Sequence, residues 1–220
     1  DYYASRGLGD VYKRQILAKT KDRKKLLLHS CCAPCSSHVL TLLAHIFDVT
    51  ILFDNPNIYP EEEYNKRYDE LCLLIQRMNV NIRVIKVNYN HQRFLDAIQG
   101  DENKGEQSIR CYKCYQIRLL ETYAYAKEHF FDYYTTTLSI SPYKNSDWIN
   151  EIGFSNEDEH CHFLYSNYKK ENGYKHSILL SKQYQLYRQD YCGCEFSKKE
   201  HDEKMMERVV FHPDYTYSDF

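Results

Sequence analysis

Three short runs, residues 26–30 (LLLHS), 49–53 (VTILF) and 81–87 (NIRVIKV), each lead into a stretch with helical spacing. Runs this short and apolar or alternating, bounded by turn residues, read as strands. Ser36 is placed to cap a helix over residues 36–47. A second helix over 61–78 carries Tyr64, Tyr68, Leu71 and Ile75 on one face, and a third over 91–98 is closed by Gly100. Beyond the polar loop at 101–108, the pattern predicts a long helix over 109–129. A fourth strand over 132–138, a short helix over 147–152, a fifth strand over 162–165, and helices over 177–186 and 196–210 follow. Strands alternating with helices predict an α/β fold: a Rossmann-like parallel sheet with helices on both faces and a helical C-terminal part. In such sheets ligands bind outside the carboxyl ends of the strands, where residues 31 and 32 fall.

The pattern fits one domain over residues 16–210. Residues 1–15 (DYYASRGLGDVYKRQ) have no period and are expected to be a non-native or disordered leader, and 211–220 a tail. No stretch approaches the roughly 18 consecutive apolar residues of a membrane span, and the first segment lacks the apolar core of a secretory signal. A cytoplasmic protein is expected. The formal charge of −2 argues against indiscriminate coating of nucleic acid and leaves room for a local basic patch.

Seven of the nine cysteines fall in three groups: Cys31, Cys32 and Cys35; Cys111 and Cys114; Cys192 and Cys194. In a reducing compartment that points to metal or redox chemistry rather than structural disulfides. Cys72 and Cys161 stand alone and read as small apolar residues. Adjacent residues of a regular strand point to opposite faces, so Cys31 and Cys32 reach one cofactor only where the strand has ended, and Pro34 supports a turn there. Cys111 and Cys114, three apart on a helix, share a face. Those four thiolates suit zinc or an iron–sulfur cluster equally by count. Cys192-Gly193-Cys194 closes too small a loop to staple a fold, and a bridge there would be strained and labile. Redox thiols beside a four-thiolate site favour electron transfer over structural zinc. Two rivals remain: a thioredoxin-like thiol–disulfide oxidoreductase using Cys32 and Cys35, and a zinc-binding RNA module.

Six segments carry a resemblance: HSCCAPCS at 29–36, NPNIYPEEEYNKR at 55–67, RCYKCYQIRL at 110–119, TTTLSISPYKN at 135–145, NGYKHSILLSK at 172–182 and LYRQDYCGCEFS at 186–197. In this order they resemble the cobalamin-independent epoxyqueuosine reductases, the QueH family. The resemblance implies reduction of the epoxide of epoxyqueuosine, at the wobble base of tRNA, to queuosine, the last step of queuosine biosynthesis. It implies a 4Fe-4S cluster held by Cys31, Cys32, Cys111 and Cys114, and a second iron beside it. Cys192 and Cys194 are then the redox-active pair or ligands of that iron. Tyr143, Asp190 and Tyr191, which belong to the matching segments, are candidate proton donors. Arg110, Lys113, Lys144 and Arg188, with Arg118 and Lys182, are candidates for a basic rim that grips the anticodon. Neither the electron donor nor a role for Cys35 follows from the sequence.

Overall fold

The computed structural model of the chain describes residues 23–211. The expected leader at 1–15, and the expected tail apart from residue 211, lie outside the described residues. The elements run β1 (Lys25–His29), α1 (Ala33–Leu43), β2 (Asp48–Phe53), α2 (Glu61–Arg77), β3 (Arg83–Lys86), α3 (Gln92–Ile98) and α4 (Ile109–Glu128). Then come β4 (Tyr133–Thr136), a 3₁₀ turn (Thr137–Ile140), α5 (Ser146–Asn156), β5 (His162–Phe163), α6 (Gly173–Gln183) and α7 (Glu195–Phe211). The strands form one parallel sheet in the order β3-β2-β1-β4-β5. β1 is its centre: Leu26 pairs with Val49 of β2 on one side and Tyr133 of β4 on the other.

The period of two sorts the core. Leu26 and Leu28 of β1, with Ile51 and Phe53 of β2, face Val39, Leu40 and Leu43 of α1 and Leu71 and Leu74 of α2. Leu27 and Leu52 point the other way, to Tyr115 and Leu119 of α4 and Ile149 and Ile152 of α5. Leu26, Leu27 and Leu28 are wholly buried, and each such burial stabilises by about 1.5–3 kcal/mol. A third, smaller cluster joins Phe94 and Ile98 of α3, Cys114 of α4 and Phe196 of α7. The expected α/β sheet with helices on both faces is therefore the observed architecture.

Several starts and ends differ from the expected ones. α1 begins at Ala33 rather than Ser36, with Cys32 in extended backbone at the cap and Pro34 in the first turn, where a missing N–H costs little. The Ser36 hydroxyl instead donates to the Cys32 carbonyl at 2.9 Å. The fourth strand stops at Thr136, whose Oγ1 accepts the Leu138 N–H at 3.1 Å and starts the 3₁₀ turn. α6 begins at Gly173, not 177, after Asn172 in left-handed backbone (φ 62°).

His29, at the end of β1, is wholly buried, with Nδ1 2.8 Å from Thr136 Oγ1. Burial first, and then the Arg118 charge, lower its pKa from 6.5 to about 3. The folded chain keeps the ring neutral where the unfolded chain would protonate it, so stability falls as pH drops from about 6.5 towards 3. The urea midpoint should decline over that window. A His29→Gln variant with an equally steep decline would show that this ring is not the source.

Candidate metal centre

β1 and β4 are neighbours, yet the chain leaves them for opposite faces of the sheet, into α1 and α5. A crevice opens at such a switch point. Cys31 follows β1 and Thr137 follows β4, and they meet there: Cys31 N–H donates to Thr137 Oγ1 at 3.3 Å, and the Cys31 Sγ lies 3.5 Å from that oxygen. Asn55, just beyond β2, fixes the turn by donating to the Ser30 carbonyl at 2.8 Å. With Cys32 at the cap of α1 and Cys35 in its first turn, the sulfur atoms of Cys31, Cys32 and Cys35 lie within 4.8 Å of one another. These three can hold a metal ion. The sequence gives Cys35 a role only in the rival Cys32–Cys35 redox reading; its spacing of three from Cys32 at a helix start is the signal that points to it as a third thiol here.

Charge is concentrated on one of the three. The thiols of Cys32 and Cys35 hydrogen-bond to Cys31 and, with the positive charges of Lys144 and Arg118, hold it well below the usual thiol range despite burial. Cys32 is correspondingly pushed up to about 11 by its hydrogen bond with Cys31, and Cys35 is raised for the same reason. Gln189 Nε2 donates to Cys32 Sγ at 3.1 Å.

The other two groups lie across the same cavity. Cys111 and Cys114 occupy the first turns of α4, with Cys114 buried and pushed up to about 12 by that burial, which Arg118 opposes. The loop between α6 and α7 carries Cys192 and Cys194. Tyr59 N–H donates to the Gly193 carbonyl at 2.9 Å and Arg67 Nη1 to the Cys192 carbonyl at 3.1 Å. Gly193 has φ +133°, open to glycine, and a Cβ there would lie 3.0 Å from Arg67 Nη1. Cys194 acts as the cap of α7: its Sγ accepts the Ser197 N–H at 3.4 Å. Burial raises the Cys194 thiol, and the Ser197 donors oppose the rise.

A cavity of about 290 Å³ has Cys35, Cys111 and Cys192 on its wall, so all three cysteine groups border one space. Tyr115 and Lys144 line it as well. Burial would lower the Lys144 ammonium, but Cys192, Cys31 and Cys35 raise it, so it stays charged. Tyr115, raised mainly by burial, is a lining residue that the sequence motifs do not single out, although it lies four residues past Cys111 on the same helix face.

The remaining sequence candidates separate. Tyr143, Asp190, Tyr191 and Arg188 line the cavity. Tyr143 is 66% exposed, and the Tyr191 hydroxyl is engaged with the Tyr59 carbonyl at 3.0 Å. Arg110 is 2% exposed and pairs with Glu200 of α7 at 3.0 Å, so it braces the fold instead of offering a free contact to RNA. Lys113 pairs with Asp101 at 2.7 Å. Arg118 is also buried.

A thiolate set of this kind suits zinc or iron–sulfur groups and not hard cations. Two buried polar atoms beside it, Gln189 Oε1 and Arg67 Nη2, have no hydrogen-bond partner. The residues present therefore fit a resident metal group.

A family model described as "Epoxyqueuosine reductase QueH" matches residues 26–200, which include all seven grouped cysteines. The chain is 36% identical over 198 residues to the epoxyqueuosine reductase QueH of Staphylococcus epidermidis, covering 86% of this chain and 83% of that one. It is 34% identical over 190 residues to the Streptococcus pyogenes protein of the same name, covering 84% and 74%. To that of Thermotoga maritima it is 34% identical over 184 residues, covering 83% and 94%. The segments that build the crevice all fall within the stretch that the family model matches, and the chain belongs to the epoxyqueuosine reductase QueH family.

Proposed function

We propose that this chain reduces epoxyqueuosine to queuosine in the anticodon of tRNA. The observation that carries the reading is the convergence of three cysteine groups, all inside the family match, on one cavity at the β1/β4 switch point. A 4Fe-4S cluster held by Cys31, Cys32, Cys111 and Cys114, with a second iron nearby, would supply electrons one at a time at a potential that burial and hydrogen bonding set. Removing the epoxide oxygen as water requires two electrons and two protons. Closing Cys192 and Cys194 from two thiols to a disulfide releases that number of each, and an external donor must then restore the thiols.

Lys144 holds a proton at Nζ inside the cavity and can donate it to the leaving oxygen, with the Tyr115 hydroxyl beside it. Both border the space the cysteine groups share, whereas Tyr143 and the Asp190 side chain are largely exposed and the Tyr191 hydroxyl is engaged with the Tyr59 carbonyl, which favours Lys144 and Tyr115 as donors over those three. Tyr143, exposed at the cavity mouth, is suited to stacking on a base, and Arg188 to a phosphate. Among the described residues no helix is long and apolar enough to cross a membrane. Free thiols at the site fit a reducing cytoplasm.

The test is anaerobic reconstitution with iron and sulfide, metal analysis and a visible spectrum, followed by incubation with epoxyqueuosine-tRNA and nucleoside mass spectrometry. About four irons and four sulfides per chain and conversion to queuosine are expected. Bound zinc with no conversion would support the RNA-module reading. A metal-free protein that cycles Cys32 and Cys35 would support the thioredoxin-like one.

A further inference from the structure

Arg67, Arg110 and Arg118 are equally buried, each 2% exposed. A cation taken out of water is strongly unfavourable unless an anion offsets it. Arg67 has one: its Nε meets Glu63 Oε1 at 2.7 Å. Arg110 has one in Glu200 at 3.0 Å. Arg118 does not; among the described residues no carboxylate forms an ion pair with it. Its Nε donates to His29 Nε2 at 3.3 Å and its Nη2 to Asn55 Oδ1, both uncharged groups. The carboxylate of Asp54 is taken by Arg93 at 3.1 and 3.2 Å.

Among the described residues the hydrogen-bond partner of Arg118 able to carry negative charge is Cys114, whose Sγ lies 3.9 Å from Nη1. Cys31 and Cys192 are close enough to act on the same charge. Helix spacing explains the placement: residues 111, 114 and 118 fall on one face of α4, so the helix that presents two thiols presents the guanidinium with them.

We propose that Arg118 is the built-in counter-charge of the thiolate site, offset by the negative charge the cysteines carry when they bind their metal group, and that it raises the reduction potential of that group. The inference rests on the iron–sulfur reading above. Adding an electron makes the group more negative, and a fixed cation stabilises that state over the oxidised one. Arg118 does not touch substrate in this scheme; it acts through the group the thiolates hold.

The experiment compares reconstituted wild-type, Arg118→Gln and Arg118→Lys proteins by redox titration, and measures the melting temperature of each before and after loading. In Arg118→Gln the ratio of reduced to oxidised group at a fixed potential should fall about tenfold, or about 59 mV for one electron. Its gain in melting temperature on loading should shrink. Arg118→Lys keeps the charge while losing the fork to Asn55 and His29, and should stay close to wild type in both measures. If Arg118→Gln does not fold, Arg118→Lys decides: retention of potential and gain supports the counter-charge, and loss of both overturns it. A wild type that takes up neither iron nor sulfide overturns the iron–sulfur reading and the inference together. A wild type that loads, with Arg118→Gln at the same potential and the same gain, overturns the inference alone.

Discussion

Serine at Cys31 or at Cys111 is expected to leave a folded protein that no longer holds its metal group and no longer turns over. Oxygen is a poor substitute for sulfur towards a soft metal. Losing a direct ligand should exceed the roughly 100-fold fall in metal affinity that follows loss of an outer hydrogen-bond partner. Metal content and visible absorbance measure the first effect, and circular dichroism of the unloaded protein establishes that the fold survives. Cys192→Ser should behave differently: absorbance largely kept, turnover lost, because its thiol is assigned to electron and proton delivery. Cys72→Ser and Cys161→Ser are the controls. Cys161 is buried against Tyr134 and Phe163, away from the cavity wall, and Cys72 lies on α2. Loss of absorbance in either control would mean that the ligand set is wrong.

Alanine at Gly173 should destabilise the protein by about 3 kcal/mol, the upper part of the usual overpacking range. A Cβ there would run into the carbonyl oxygen of Tyr168, which is backbone and cannot swing aside, and would lie 2.7 Å from His38 Nε2. The start of α6 would have to move off α1, whose His38 is hydrogen-bonded to His176 of α6 at 2.8 Å between their Nδ1 atoms. For a chain of this size that corresponds to a melting temperature lower by roughly 6–12 °C. An unchanged melting temperature would mean that the close approach at Gly173 does not constrain the fold.

The sheet was legible because its signals are local. LLLHS and VTILF are short, apolar and flanked by turn residues, and nothing else in the chain competes with a strand there. DYYTTTL reads equally well as one strand, but it splits at Thr136 because that hydroxyl caps a 3₁₀ turn and Thr137 is drawn to Cys31. The cysteine groups were legible from spacing, including the turn needed between Cys31 and Cys32. The buried arginines were not. Arg110 sits beside a CxxC in a charged, polar stretch, and its partner Glu200 lies ninety residues away on α7. A charge facing solvent and a charge facing a carboxylate across the fold have the same local sequence. Arg67 escaped because an i,i+4 pair with Glu63 reads the same on an exposed helix face as on a buried one, and Arg118 because the groups it meets, Asn55 and His29, lie far away in sequence. Cys35 escaped because the strand–CxxC–helix layout suggested a redox motif rather than a third member of a thiol cluster.

The sulfur atoms around the cavity come from the segment after the central strand, from the middle helix and from the loop before the last helix. That scatter imposes an order in time. A ribosome making this chain releases Cys31 well before Cys194, which follows only when most of the domain has emerged. The crevice itself needs β4, which is translated more than a hundred residues after β1 begins. Any group that draws on all three cysteine segments must therefore be installed after the sheet has closed, as a maturation step on an assembled domain and not as a seed for its folding.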